Sequence, residues 1–232
     1  MNETPNISVT QFVASFFPAF DPDEAIRRMM ASPKWPQSPY FGMSPDDIKA
    51  AWKAKAEYGT AVHQEISDCI DSGQQHDQPS VEFTNQFLPF YDRLQKKAIL
   101  TARETEHRIK ACGLSGIIDA IFETKDGEVV FFDWKINEKL PAHNFYERAY
   151  KPISHLQHAK LVVAWLQLNA YKYMWEQLNP NNVYRLFVVQ MHKDLPTYQV
   201  HEAPNFQKEI RSMLNFSKLN EPKETQPDAL PF

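Results

Sequence analysis

Two short segments near the middle of the chain constrain its fold more than any other feature. From Ile117 to Glu123 and from Val129 to Ile136 the sequence is apolar at odd and even positions alike. Inside those runs only Asp119, Asp133 and Lys135 interrupt it. Side chains alternate between the two faces of a strand, so a strand apolar on both faces belongs in the middle of a sheet covered on both sides. Between the runs lies Lys125-Asp126-Gly127, a turn sequence. A three-residue hairpin loop with Gly127 in the left-handed position joins the strands. Thr124 then faces Glu128, and stepping outward sets Asp119 directly opposite Asp133 on one face. A two-residue loop would instead oppose Asp119 to Trp134.

The remaining segments read as layers around this hairpin. Asp21-Pro22-Asp23-Glu24 combines an N-cap, a first-turn proline and acids facing the helix dipole, and opens a helix towards Met30. Residues 33–43 form a proline-rich loop. Ser44-Pro45-Asp46-Asp47 opens a long helix towards Asp71, ended by Ser72-Gly73. Gly59 interrupts that helix at a cost of about 1 kcal/mol and points to a kink or a close backbone approach. A further helix covers residues 80–97, with Pro89 kinking or dividing it. Residues 101–112 alternate as a half-buried strand. A helix from His158 to Gln177, strands at 183–190 and 197–201, and a helix from Phe206 to Phe216 complete the order. These elements predict one α/β domain with a mixed central β-sheet flanked by helices on both sides. The domain spans 1–217, with a helical part to about residue 100 and a core beyond it, and 218–232 forms a flexible tail.

Composition narrows the class. The chain has 232 residues, 43% of them hydrophobic, with 16 Phe, 9 Tyr and 5 Trp, enough to build a substantial core. No apolar run approaches the ~18–20 residues that span a bilayer, so no membrane is expected as a partner. Met1-Asn2-Glu3-Thr4-Pro5 does not resemble a secretory signal. Cys69 and Cys112 cannot build a disulfide framework, an iron–sulfur site or a cysteine-rich zinc site. A reduced, cytoplasmic compartment is the expectation. The net charge of −4 counts against a phosphate backbone as partner. Its distribution softens that, because Arg93, Lys96, Lys97, Arg103, Arg108 and Lys110 face only Glu104 and Glu106 in the same stretch.

The chemistry sits on the two apolar strands. Asp133 and Lys135 share a face amid Phe132, Trp134 and Ile136, where each ion loses several kcal/mol of hydration unless paired or metal-bound. A buried Asp–Lys ion pair would account for that strand alone. Asp119 on the neighbouring strand shifts the balance, because cross-strand neighbours have Cβ atoms about 4.5–5.5 Å apart. Two carboxylates that close repel unless a cation lies between them. The register therefore favours a shared divalent ion.

Asp119 followed by Asp133-Trp134-Lys135 resembles the D…DxK signature of the PD-(D/E)XK nucleases, and in particular their RecB-like, phage-type exonuclease branch. Gly59-Thr60-Ala61-Val62-His63 is similar to that branch's upstream Gly-x-x-x-His motif, and Gln167-Leu168-Asn169-Ala170-Tyr171 to its Gln-x-x-x-Tyr helix. The resemblance covers roughly residues 57–190. It implies a restriction-endonuclease-like core and a metal-dependent DNA nuclease, an exonuclease of recombination, repair or phage replication. It implies His63, Asp119, Asp133 and the Trp134 carbonyl as ligands of Mg²⁺ or Mn²⁺. It assigns Lys135 to the attacking water or the transition state, and Gln167 and Tyr171 to the water, the lysine or the DNA backbone. Glu106 resembles an acid often present on the first core strand of this branch, with Glu104 competing and a plain surface charge an alternative for either. The substrate would be single- or double-stranded DNA. Two rivals remain: a nuclease-fold subunit that binds nucleic acid without cutting it, and a metal-binding protein with no nucleic-acid substrate. The chain closes with Asp228-Ala229-Leu230-Pro231-Phe232, which resembles the tip of bacterial single-stranded-DNA-binding proteins. That tail would dock on a replication or repair protein, or fold back on its own domain.

Overall fold

The computed structural model describes residues 6–96, 100–179 and 184–220. Strands β1 (Ile7–Ser8), β2 (Leu100–Ala111), β3 (Leu114–Thr124), β4 (Val129–Ile136), β5 (Tyr184–Met191) and β6 (Gln199–Glu202) form one mixed sheet. Helices α1 (Val9–Ala14), α2 (Pro22–Met30), α3 (Pro45–Ser72), α4 (Leu88–Lys96), α5 (Lys160–Leu178) and α6 (Gln207–Asn220) surround it. The sheet order is β1-β3-β4-β5-β6, with β2 paired to β3; β4 and β5 run parallel and the β2–β3–β4 set antiparallel. This is the mixed α/β architecture expected from the apolar hairpin.

Two apolar clusters lie on the two faces of the sheet. On one, Val62 and Ile66 of α3 and Phe87 and Phe90 pack against Phe122, Phe132 and Trp134. On the other, α1, α5 and α6 cover Ile121, Val129, Phe131 and Val188. Both faces of β4 are thereby dry, and Val129 through Trp134 are all buried. That is the physical reason the run is apolar at every position but the acid.

Local signals place the helix ends as written. Asp21 accepts from the amides of Asp23 and Glu24, and Ser44 and Asp47 form a reciprocal capping box at the start of α3. Gly73 closes α3 at φ 68°. Gly59 does not break the 28-residue helix, and a Cβ there would meet nothing within 4 Å, so no close backbone approach explains it. Pro89 is accommodated differently from a simple kink. The turn before it, Phe83–Phe87, widens to π geometry, with the Leu88 amide bonding to Phe83 O. A proline lacks the N–H of the ordinary ladder and crowds the preceding turn, and a wider turn relieves both. The proline-rich loop contains a single 3₁₀ turn at Trp35–Gln37. The final helix runs to Asn220, beyond the Phe216 limit set by its apolar pattern, so the 218–232 tail loses its first residues to α6. The Leu-Pro-Phe terminus lies outside the described residues. Strand β1 and helix α1, two and six residues long, were too short to leave a periodicity.

Candidate metal centre and its cleft

The hairpin positions the acids. Gly127 adopts φ 81°, its amide bonds to Thr124 O at 3.0 Å, and the Thr124 amide bonds to Glu128 O at 2.8 Å. Pairing then runs from Glu123↔Val129 to Ala120↔Phe132, the register expected from a three-residue loop. The ladder ends one step short of the acids. Beyond Ala120 the strands part, and the Asp119 carboxylate, rather than its backbone, accepts the Trp134 amide at 2.9 Å. The acids are thus aligned by register but not joined by a backbone pair, a correction to the direct pairing expected.

That parting has a counterpart further along β3. Leu114 and Ser115 pair with β2 on one side and with β1 on the other. Strand β1 therefore occupies the edge that β4 holds at residues 120–123. Between β1 and β4 that edge of β3, from Gly116 to Asp119, has no paired strand among the described residues. Tyr171 of α5 fills part of the gap, and its hydroxyl accepts the Ile117 amide. Gly116 makes this possible, since a Cβ there would lie 2.5 Å from Tyr171 Cε1 and 2.8 Å from its hydroxyl.

Lys135 Nζ sits 2.8 Å from both carboxylate oxygens of Asp133, but only Oδ1 receives a well-directed hydrogen bond. Asp133 Oδ2 is buried and has no hydrogen-bond partner. From α3, His63 sets Nε2 2.9 Å from the Trp134 carbonyl and Nδ1 3.5 Å from Asp119 Oδ2. The carbonyl expected to face a metal therefore faces the imidazole here. Glu106 joins them: one ligand atom each from His63, Glu106 and Asp119 lies within 4.8 Å of the others.

Glu106 is the residue that sequence reasoning undervalued. The β2–β3 pairing passes from Thr105↔Ala120 to His107↔Ile118, leaving Glu106 across from Asp119. Its φ of 46° lies in the left-handed region, which a non-glycine residue enters at a cost of order 1 kcal/mol or more. Alternation in 101–112 put Glu106 on the right face, and nothing in the pattern announced the distorted backbone. Glu104 is exposed and pairs with His107 at 2.8 Å. Glu65 is structural, accepting the amide and hydroxyl of Ser80 from beneath α3.

The electrostatics follow from crowding. Burial, then the Asp133 charge, raises the Asp119 carboxyl to about 6, against the pull of His63, Lys135 and the Trp134 amide. Burial alone would depress the Lys135 ammonium, but Asp133 and Asp119 together hold it above its ordinary range. Burial raises Glu106, with His63 and Arg108 opposing. Burial, then Asp119, pushes Tyr171 up to about 12. His63, Glu106 and Asp119 could hold a hard divalent cation such as Mg²⁺ or Mn²⁺; Asp133, expected to share it, lies outside that converging set, its carboxylate engaged by Lys135.

All of these groups open onto one cleft of about 1170 Å³. Gln167 and Tyr171, one turn apart on α5, line it together with His63, Trp134 and Lys135. The structure thus gathers every residue named from the four motifs. No helix of the described residues is long and apolar enough to cross a membrane.

No protein-family model matches the chain, and no curated protein matches it. Among solved structures, one described as "Crystal structure of SSO0001" aligns over 96% of this chain and 80% of its own, at 13% identity and a TM-score of 0.36. A likeness at that level carries no functional argument.

Proposed function

We propose that this chain is a metal-dependent phosphodiester hydrolase acting on DNA, an exonuclease of recombination, repair or phage replication. The observation that carries the reading is the set formed by His63, Glu106 and Asp119, whose ligand atoms lie within 4.8 Å of one another, on the same cleft as the Asp133–Lys135 pair. An ion pair built only for stability needs Asp133 and Lys135 and gives no reason for the other three groups.

A divalent ion in this site supplies Lewis-acid polarisation of the scissile phosphate and a lowered pKa for a water molecule. The chain's own groups do the rest. Asp133 fixes the Lys135 ammonium in place, and its remaining protons face charge developing on phosphate oxygens. His63 and the Trp134 carbonyl hold each other, tying α3 to β4 across the site. Tyr171, locked by Gly116 and the Ile117 amide, sets the wall opposite α3, and Gln167 offers its amide to the water or the DNA backbone.

End-labelled single- and double-stranded DNA, with an RNA control, incubated with Mg²⁺, Mn²⁺ or EDTA, tests the proposal. Cleavage that needs the metal and releases nucleotides from an end supports it. Binding without cleavage under every metal condition would replace it with a nuclease-fold nucleic-acid-binding subunit.

A further inference from the structure

The cleft extends well beyond the metal centre, and its outer part has a distinct chemistry. Every acid lining it, Glu106, Asp119 or Asp133, belongs to the centre. The other charged lining residues away from Lys135 and His63 are Lys55, Arg108, Lys110 and Lys160. None of the four forms an ion pair among the described residues, in a chain whose net charge is −4. Burial, then the Lys55 charge, lowers the Lys160 ammonium, so two cations already repel each other at this wall.

Aromatic rings stand beside those cations. Phe20, Tyr40 and Trp52 line the same cleft. The Trp52 ring centroid is 5.9 Å from Phe20 and 6.3 Å from Tyr40, the latter at 86°. These contacts do not bury Phe20, which is 72% exposed. Trp52 stands on α3 in the stripe that continues through Lys55, Gly59 and His63, each three or four residues on and each facing the cleft. From Trp52 to His63 the helix rises about 16 Å, roughly five stacked nucleotides at ~3.4 Å per step and fewer if the strand is extended. Gly59 lies between them with open space where a side chain would be. A helix-interior glycine with no internal packing reason leaves room for something entering the cleft.

Resting on the hydrolase reading, we infer that Phe20, Tyr40 and Trp52 with Lys55 and Lys160 form a stacking shelf for the bases of single-stranded DNA, and that the substrate of this site is an unpaired strand. Aromatic faces grip bases only where those bases are unstacked from duplex neighbours, while the unpaired lysines take the phosphates between them. Duplex DNA presents its backbone and hides the base faces, so it uses only half of this wall.

The test uses the full chain in EDTA, so that binding is read without cleavage. Fluorescence anisotropy compares a labelled 15-nucleotide thymidine strand, a blunt duplex of equal length, and a strand of abasic sites carrying the same phosphates. The thymidine strand binds roughly 10-fold or more tighter than either control. Phe20→Ala and Trp52→Ala weaken the thymidine strand by roughly 10-fold and leave the abasic strand unchanged, while Trp52→Phe restores most of the loss. Lys55→Ala and Lys160→Ala weaken both strands and flatten the salt dependence. Equal binding of thymidine and abasic strands, or an equal loss on both in Trp52→Ala, overturns the shelf. The two readings fail separately. Base-dependent binding by a chain that cleaves nothing in Mg²⁺ or Mn²⁺ removes the hydrolase and keeps the shelf. Metal-dependent cleavage without base-dependent binding does the reverse.

Discussion

Gly116 offers a direct test of how the gap along β3 is closed. In Gly116→Ala the new Cβ would stand 2.5 Å from Tyr171 Cε1, 2.8 Å from its hydroxyl and 3.1 Å from Cζ. Ordinary contact begins near 3.4 Å, so the ring must retreat by about 0.9 Å. Tyr171 is 9% exposed and packed in the core cluster, so a shift of the ring disturbs its neighbours. Overpacking of this kind costs about 1–3 kcal/mol. A stretched bond between the Ile117 amide and the hydroxyl adds about 0.5–1.5 kcal/mol. Relief of glycine's unfolded-state entropy returns about 0.5–1 kcal/mol. The net expectation is a loss of about 2 kcal/mol in urea-induced unfolding. The three clashing atoms are all absent from leucine, so in a Tyr171→Leu background Gly116→Ala should cost nothing, or stabilise slightly. The coupling energy of the cycle should then be about 2 kcal/mol. An equal cost in both backgrounds would show that the ring is not wedged over Gly116, and a neutral single mutant would refute the packing outright.

Other consequences follow from the same geometry. Asp119→Asn should stabilise the metal-free protein at pH 7.5 by about 1–3 kcal/mol, because the wild-type carboxylate is held buried beside Asp133. The sign follows from a folded-state value raised to about 6: stability from this group is present below the unfolded carboxylate range and is lost as pH rises through about 6. The advantage of Asn should therefore vanish near pH 4, and thermal melts in EDTA showing the opposite trend would contradict it. Asp133→Asn and Lys135→Ala should each lower cleavage by roughly 10²-fold or more, with calorimetry showing weaker Mn²⁺ binding for Asp133→Asn; near-wild-type turnover by either would remove these residues from the centre. Gly59→Ala should raise stability by about 1 kcal/mol in the same urea titration, since the helix gains propensity and no neighbour is crowded. A destabilised Gly59→Ala would mean that the open space above it is not open.

The parts of this protein legible in the sequence are those written in local pattern and turn chemistry. Dual-face apolarity identified β3 and β4 as interior strands, and Lys125-Asp126-Gly127 set a register that brings Asp119 and Asp133 to one face. Caps at Asp21 and Ser44 and the stop at Gly73 marked helix limits, because each depends on groups within four residues. What only the tertiary structure decided lies where strands stop pairing. Beyond Ala120 backbone ladders give way to side chains, and alternation carries no information about which ones arrive. The left-handed backbone of Glu106 swings its carboxylate towards His63 and Asp119, and the Tyr171 ring meets the bare backbone of Gly116 from a helix 55 residues away in sequence. Phe20 and Tyr40 showed only as neighbours of a helix start and a proline-rich loop, since the ring they meet, Trp52, belongs to α3. Register is a property of neighbouring residues and can be read along a chain; a cleft is a gap between elements, and its lining exists only once they have packed.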